Sequence, residues 1–493
     1  MQKTAILVNI PITDLAPSAG LAAIKPVFNR HGIKTEIQDL NLNLTNSVSS
    51  SLLEEIYRWC ELSGNLSDNS KEFLTDWLSE QINTWPACNY IAVSIFSYHG
   101  IVFGQLFLSV LRKKFPTTEI IVGGAGISSN LNVITTNMTF GEQILKNNWS
   151  NWVIFGEGEL TLDNLLNNDT TVPGINNNNP VQINDLDQLP LPDYDGFNFA
   201  NYTDSRLYIT GSRGCVRHCT FCDVDTIWPN FRYRSPENQV REIIEHAKKY
   251  QIKRFEFTDS LINGSVSGWI RFNELLANAK EKDKELKDIS YSGQFICRDK
   301  QKQAKIMYEL MHYAGVRQLT VGIESFSERI RNHMKKKFSN QAIDYHLEEC
   351  ARWGIPNIFL MIVGYPSETL EDHRENIQAL YRYKKYSDMG TIFMMRWGTT
   401  MHIITDTPVY RDHKWEATEI QQHQNDNVWA WITSQNPSLT LVERARRRLE
   451  IHCLTYDLGY SQPNSKAELS TINNLLVKYG NTKQKKIFNI TKN

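Results

Sequence analysis

The stretch that decides the reading is Gly211-Ser-Arg-Gly-Cys215-Val-Arg-His-Cys219-Thr-Phe-Cys222. Three cysteines fall within eight residues of a glycine-rich, polar segment, while those at 60, 88, 297, 350 and 453 are scattered. The spacing CxxxCxxC lets three thiolates on one loop take three corners of an iron–sulfur cubane, which normally uses four cysteines. With three, one iron keeps an open position that can bind and activate a small molecule. Zinc held by the three thiolates and His218 is the rival. His218 adjoins Cys219, however, and adjacent side chains rarely reach one metal together. Core cysteines, for their part, have no reason to gather on such a loop.

Working outward, the segment follows a short β-rich run, Arg206–Thr210, the first of six. The others are Arg254–Thr258, Ile289–Ile296, Gln318–Ile323, Asn357–Val363 and Thr391–Arg396. Their starts lie about 30–50 residues apart, the size of a βα unit with its loops. Helical patterns fill the gaps at Pro236–Tyr250, Trp269–Glu285, Gln301–Ala314, Asn340–Trp353 and Glu368–Tyr383. Residues 203–400 therefore read as a partial (βα)6 barrel, with chemistry at the strand C-termini.

Upstream, residues 1–170 alternate β-rich runs (Ala5–Ile10, Tyr90–Phe96, Glu119–Val122, Trp152–Phe155) with helical stretches. This is the pattern of an α/β, doubly wound parallel sheet, whose ligands bind at the strand C-termini. Residues 171–202, with an asparagine run at 176–179 and prolines at 173, 180, 190 and 192, read as a solvated linker. Residues 401–493 read as a helical C-terminal domain, with helical stretches at Glu416–Ser434, Leu439–Tyr456 and Ser465–Lys478. The arginines at 444 and 446–448 read as a solvated helix face that could touch an anionic partner.

Composition bounds the function. The 493 residues are 41% hydrophobic and 22% charged, with a formal net charge of −1. That balance argues against a protein that coats nucleic acid or an anionic membrane, although Lys335-Lys-Lys337 keeps nucleic acid open. No apolar run approaches the ~18 residues of a membrane span. The start, Met1 to Ile10, reads as a strand and not as an export signal. Eight cysteines are too few for a disulfide scaffold, so a cytoplasmic location is expected.

The cysteine motif, with Phe221 before the last cysteine and a six-unit barrel after it, resembles the radical S-adenosylmethionine (SAM) superfamily. The resemblance implies a [4Fe–4S] cluster on Cys215, Cys219 and Cys222, with SAM chelating the open iron. Reductive cleavage of SAM then yields a 5′-deoxyadenosyl radical that abstracts hydrogen from substrate. SAM would be held by Phe221, by Thr258 and Asp259 ending the second strand, and by Gln294 and Arg298 ending the third. Gly322, Glu324 and Ser325, which resemble the family's Gly-Ile-Glu-Ser, complete that set. Gly364-Tyr-Pro366-Ser-Glu368-Thr369 resembles the family's fifth-strand turn.

The order of domain, linker and cluster resembles the cobalamin (B12)-binding subgroup of the same superfamily, over about 1–385. Gly123-Gly124, Gly156-Glu157-Gly-Glu159, Leu189-Pro-Leu-Pro192 and Tyr233-Arg-Ser235 carry that likeness. The implied corrin neighbours are Ser97, Tyr98, Gly123, Gly124, Gly156 and Glu157. The turn Pro11–Gly20 has no histidine where Asp-x-His-x-x-Gly would supply a lower axial ligand. His99 is an alternative neighbour of the corrin.

The activity so implied is methyl transfer to an unactivated carbon. The alternatives are another radical outcome, with the first domain used for packing or substrate docking, and a non-catalytic metal-binding scaffold. Expected partners are a small-molecule or peptide substrate and an external electron donor of flavodoxin or ferredoxin type. Met394, Met395, Arg396, Trp397 and His402 are candidate substrate-pocket residues, and Cys297 beside Arg298 is a possible site cysteine.

Overall fold

The computed structural model describes residues 2–11, 15–60, 65–129, 138–300, 302–401, 403–404, 407–412 and 433–460. The expected helices Glu416–Ser434 (up to 432) and Ser465–Lys478 lie outside these residues, as does His402. The chain forms two compact units, 1–208 and 209–493.

The first unit is built on a five-stranded parallel sheet: β1 (Thr4–Asn9), β2 (Lys34–Asp39), β3 (Tyr90–Ser94), β4 (Glu119–Gly123) and β5 (Trp152–Ile154). The order is β2-β1-β3-β4-β5, one of the two common doubly wound orders, and neighbouring strands pair in parallel. Strands covered on both faces must be apolar throughout, and Ala5–Val8, Ile91–Val93 and Ile120–Val122 are buried accordingly. The edge strand β2, Lys-Thr-Glu-Ile-Gln-Asp, is only partly buried, with Lys34 and Glu36 exposed. Its charges are what an unpaired edge carries, and they hide it from a reading based on apolar runs.

Residues 171–202 form no long element, but they are not a free connector. Phe155 N–H donates to Gly174 O at 2.8 Å, Asn176 N–H to Val153 O at 2.8 Å, and Ile183 N–H to the Glu157 carboxylate at 2.8 Å. Lys25 pairs with Asp193 at 2.9 Å, and Tyr194 and Leu186 are buried. The asparagine and proline composition forbids a helix or strand, yet the apolar residues between them give the stretch a surface to bury.

The second sheet starts at β6 (Arg206–Ile209), the strand within which the chain passes from one unit to the next; a two-residue ribbon of β7 (Ser212–Arg213) and β8 (Arg232–Tyr233) follows, then β9 (Arg254–Phe257), β10 (Ser290–Phe295), β11 (Val316–Glu324), β12 (Asn357–Val363) and β13 (Ile392–Thr400). The six long strands lie in chain order, β6-β9-β10-β11-β12-β13, with parallel pairing from β9 to β13. Helices Pro236–Tyr250, Val266–Lys282, Lys302–Ala314, Asn340–Trp353 and Leu370–Asp388 follow in turn. Four of these starts are capped by side chains that accept from N–H groups of the first turn: Ser235, Ser265, Ser339 and Thr369. Burial alternates along β6, β9, β10 and β12. On β12, Asn357, Phe359, Met361 and Val363 are buried while Ile358, Leu360 and Ile362 are half-buried. On β10 the helix-facing Tyr291 packs edge-on against Phe257, Trp269 and Phe272. The opposite face of the sheet, with Thr258, Gln294 and Gly322, is left for the site.

Candidate active site

The cysteine loop leaves β6 and is held from behind. Arg234 N–H donates to Gly211 O at 2.8 Å, and its guanidinium donates to Thr210 O at 3.1 Å and pairs with buried Glu242. Gly214 turns the chain at φ 79°, where a Cβ would stand 2.4 Å from Asn230 O, so only glycine fits. Asp259 is 3% exposed and its carboxylate accepts from Gly211 N–H at 2.8 Å and from Ser212 O–H at 2.5 Å. Burial pushes this carboxyl up to about 7. The sequence points Asp259 toward the SAM amine; in the structure both its oxygens are engaged by the loop.

The middle of the loop is fixed at Thr220. Its N–H donates to Met334 O at 3.1 Å, its hydroxyl bonds Tyr365 OH at 2.8 Å, and its carbonyl accepts from Val409 N–H at 2.8 Å. Tyr365 belongs to the Gly-Tyr-Pro-Ser-Glu-Thr turn, so that turn acts on the cysteine loop as well as on its own helix. Nothing in the spacing of Thr220, Tyr365 and Val409 along the chain reveals this junction.

All three cysteines are free thiols, with Cys219 9% exposed and the other two half-buried. Burial raises all three, Cys222 to about 12, and they lie within electrostatic reach of one another. Bound iron overcomes that cost, because a coordinating thiol is deprotonated by the metal charge. Among the described residues, no three His, Cys, Asp or Glu side chains are grouped to hold one metal ion. His218, the supposed fourth zinc ligand, turns instead to Asp225 at 2.6 Å with its side chain 69% exposed.

Of the residues expected around SAM, Thr258 and Gln294 are exposed on the concave face, Thr258 bonding Thr210 at 3.0 Å. Phe221 packs against the buried apolar cluster that includes Ile330, Met334 and Tyr365. Glu324 forms an ion pair with Lys336 at 2.9 Å, and the pair lies across Gly322: a Cβ there would be 2.5 Å from the carboxylate and 2.7 Å from the ammonium. Burial opposes the Lys336 charge, but Glu324 and the nearby thiols more than offset it, and its pKa is raised. Lys336 is a candidate site residue that sequence reading missed, because Lys335-Lys-Lys337 reads there only as a basic run that keeps nucleic acid open.

Two of the expected set have partners within the protein. Ser325 is fully buried, with its hydroxyl on Asn376 at 3.2 Å and accepting from Ser327 N–H. Arg298 clamps the carbonyls of Asn263 and Gly264. Cys297 is fully buried and burial pushes its thiol up to about 12. On β13, the register places Met394 and Arg396 beside Ile358 and Leu360 on the concave face. Met395 and Trp397 are buried on the other face.

In the first unit, the expected corrin neighbours do gather at the strand C-termini, but local packing accounts for most of them. A Cβ on Gly124, at φ 104°, would lie 2.5 Å from Ile95 O; one on Gly156, at φ 83°, would lie 2.4 Å from Pro180 Cβ. Glu157 is 4% exposed and accepts from Ile183 N–H. Gly123 has Ile154 O in ordinary contact. Ser97 bonds His99 weakly at 3.4 Å, and the Tyr98 and His99 rings lie tilted at 38° with their centres 4.0 Å apart.

Residues 209–380 match the family model described as the radical SAM superfamily. The barrel is a radical SAM domain. A domain of this kind implies a [4Fe–4S] cluster and SAM, and the three thiols and the open concave face fit both. The chain is 26% identical over 220 residues to cytidylyl-2-hydroxyethylphosphonate methyltransferase of Streptomyces wedmorensis, covering 40% of this chain and 39% of that protein. It is 27% identical over 257 residues to an uncharacterized methyltransferase of Pyrococcus horikoshii, covering 48% and 53%. The matches thus span about half the length of these relatives or less. Among solved structures, TsrM of Kitasatospora setae, a radical SAM methyltransferase with tryptophan and a SAM analogue bound, superposes with a TM-score of 0.61 at 16% identity, over 83% of this chain and 75% of that one. The cobalamin-dependent SAM radical enzyme OxsB, with aqua-cobalamin and SAM bound, gives 0.63 at 16% identity over 99% and 74%. At such identity these two establish the radical SAM domain's fold and that of the preceding doubly wound sheet. No helix among the described residues is long and apolar enough to cross a membrane.

Proposed function

We propose that this chain is a cobalamin-dependent radical SAM enzyme that transfers a methyl group to an unactivated carbon. One observation carries the reading: three free thiols on a loop stitched down at Gly211, Ser212 and Thr220, opening on the concave face of a parallel barrel. When bound, the cluster, SAM and cobalamin supply hydrogen abstraction from an unreactive C–H bond and a transferable methyl group. The chain's own residues bind and orient. Cys215, Cys219 and Cys222 hold the iron, Asp259 and Thr220 fix their loop, and Thr258, Gln294, Gly322, Glu324 and Lys336 face SAM. Met394 and Arg396 line the substrate side. A flavodoxin- or ferredoxin-type protein supplies the electron. The methyltransferase names of the sequence relatives support methyl transfer as the outcome.

Anaerobic reconstitution tests this. Wild-type protein is expected to take up about four irons and four sulfides. With dithionite, SAM and aqua-cobalamin it should release 5′-deoxyadenosine and methylate a small-molecule or peptide acceptor by one methylene mass. Protein that cleaves SAM but never methylates cobalamin or an acceptor overturns the methyl-transfer reading. A second reading has an observation of its own: Gly124 and Gly156 are fully accounted for by Ile95 and Pro180. On that reading the first unit docks substrate without cobalamin, and protein that retains no aqua-cobalamin after gel filtration favours it.

A further inference from the structure

The Glu324–Lys336 pair is delivered by unusual backbone. Seven non-glycine residues have left-handed φ among the described residues. Three are asparagines, which tolerate that conformation, and Gln251 caps a helix. The remaining three are Glu324 (φ 64°), Lys335 (57°) and Lys337 (54°), all at this one pair. Left-handed backbone at long side chains is costly and is retained where surrounding structure enforces it, characteristically at functional sites. The turn hydrogen bonds Lys335 N–H to Asn332 O and Lys336 N–H to Arg331 O enforce it here. The result is that Lys335 and Lys337 are exposed while Lys336 turns inward, its side chain 13% exposed.

The inward ammonium stands 5.8 Å from the ring centre of Phe221, the residue between Thr220 and Cys222. Its charge is felt at Cys215, Cys219 and Cys222, and that of Glu324 at Cys219. A buried charge acts through a low dielectric and is poorly screened. Reducing an iron–sulfur cluster adds one negative charge, so a fixed cation beside it favours the reduced form. We infer that Lys336 raises the reduction potential of the cluster held by Cys215, Cys219 and Cys222, and that Glu324 opposes it. The inference rests on the cluster reading proposed above. In this effect Lys336 acts through the cluster, as a positioning residue.

The test uses the full chain reconstituted anaerobically without SAM. Wild type, K336M, K336R, E324Q and K335M are assayed for iron and sulfide and titrated with dithionite under electron paramagnetic resonance. One electron passes from dithionite to the cluster, and no bond forms or breaks. The midpoint should shift to more negative values in K336M, stay near wild type in K336R, and shift to more positive values in E324Q. K335M, which removes the same charge from an exposed neighbour, should leave it unmoved. A K336M midpoint equal to wild type at full iron and sulfide content overturns the inference. If K336M fails to load, E324Q decides alone: an unmoved or more negative midpoint overturns it. Wild type that takes up no iron and sulfide instead overturns the cluster reading itself.

Discussion

Asp259 carries a pH dependence that can be worked out at the level of one side chain. Its carboxyl is held up at about 7 by burial, against about 3.9 in an unfolded chain. Between those values the folded protein binds the extra proton. The site's stabilising contribution is therefore fully present below about pH 3.9 and lost as pH rises through 7. The effect is on the order of 2–4 kcal/mol. Urea unfolding of metal-free protein from about pH 5 to pH 8 should show a falling midpoint in wild type and a flatter profile in D259N. Parallel profiles for the two would refute this account. The residue type and its place at the end of β9 were legible in the sequence. Its direction was not, because an Asp at a strand terminus can face the open site or the preceding loop, and only packing chooses.

Among the elements, the helix Leu441–Asp457 changes most between reading and structure. The expected solvated arginine face is a clamp: Arg444, Arg447 and Arg448 are 0%, 5% and 2% exposed, and only Arg446 is part-exposed, pairing with Glu443 and Glu450. The Arg444 stem lies on Gly364, Arg448 donates to Trp397 O at 3.1 Å, and Arg447 pairs with buried Glu368 at 3.0 Å. Glu368 also accepts from Gly364 N–H, so the clamp grips the Gly-Tyr-Pro-Ser-Glu-Thr turn whose Tyr365 holds Thr220. Removing one partner strands the other's charge. R447M should cost about 3–5 kcal/mol by chemical denaturation, and R447M/E368Q should recover much of that loss. Equal costs for the single and double variants would show that Arg447 acts by packing alone. Charge runs mislead here because an amphipathic pattern does not say whether a partner element exists to neutralise the charged face.

For the whole molecule, the second unit gathers the cysteine loop from three distant stretches: Met334, Tyr365 and Val409 all meet Thr220. Ligand binding stabilises what it contacts, by mass action. Loading iron and sulfide should therefore slow amide hydrogen exchange at 211–222 and around Met334, with little change at β1–β5. Unchanged exchange throughout the loop would mean that the cysteines are not where the metal binds. Most of the parallel strands, the helices between them and the three-cysteine loop were present in local pattern: apolar runs, 3.6-residue periodicity and spacing within twelve residues. The polar edge strand β2, the packing of 171–202 on its own unit, the inward turn of Lys336 and the clamp of Arg447 were settled by tertiary structure. Each of these depends on contacts between residues far apart in the chain, where burial and not residue type decides whether a charge is solvated, paired or aimed at a site.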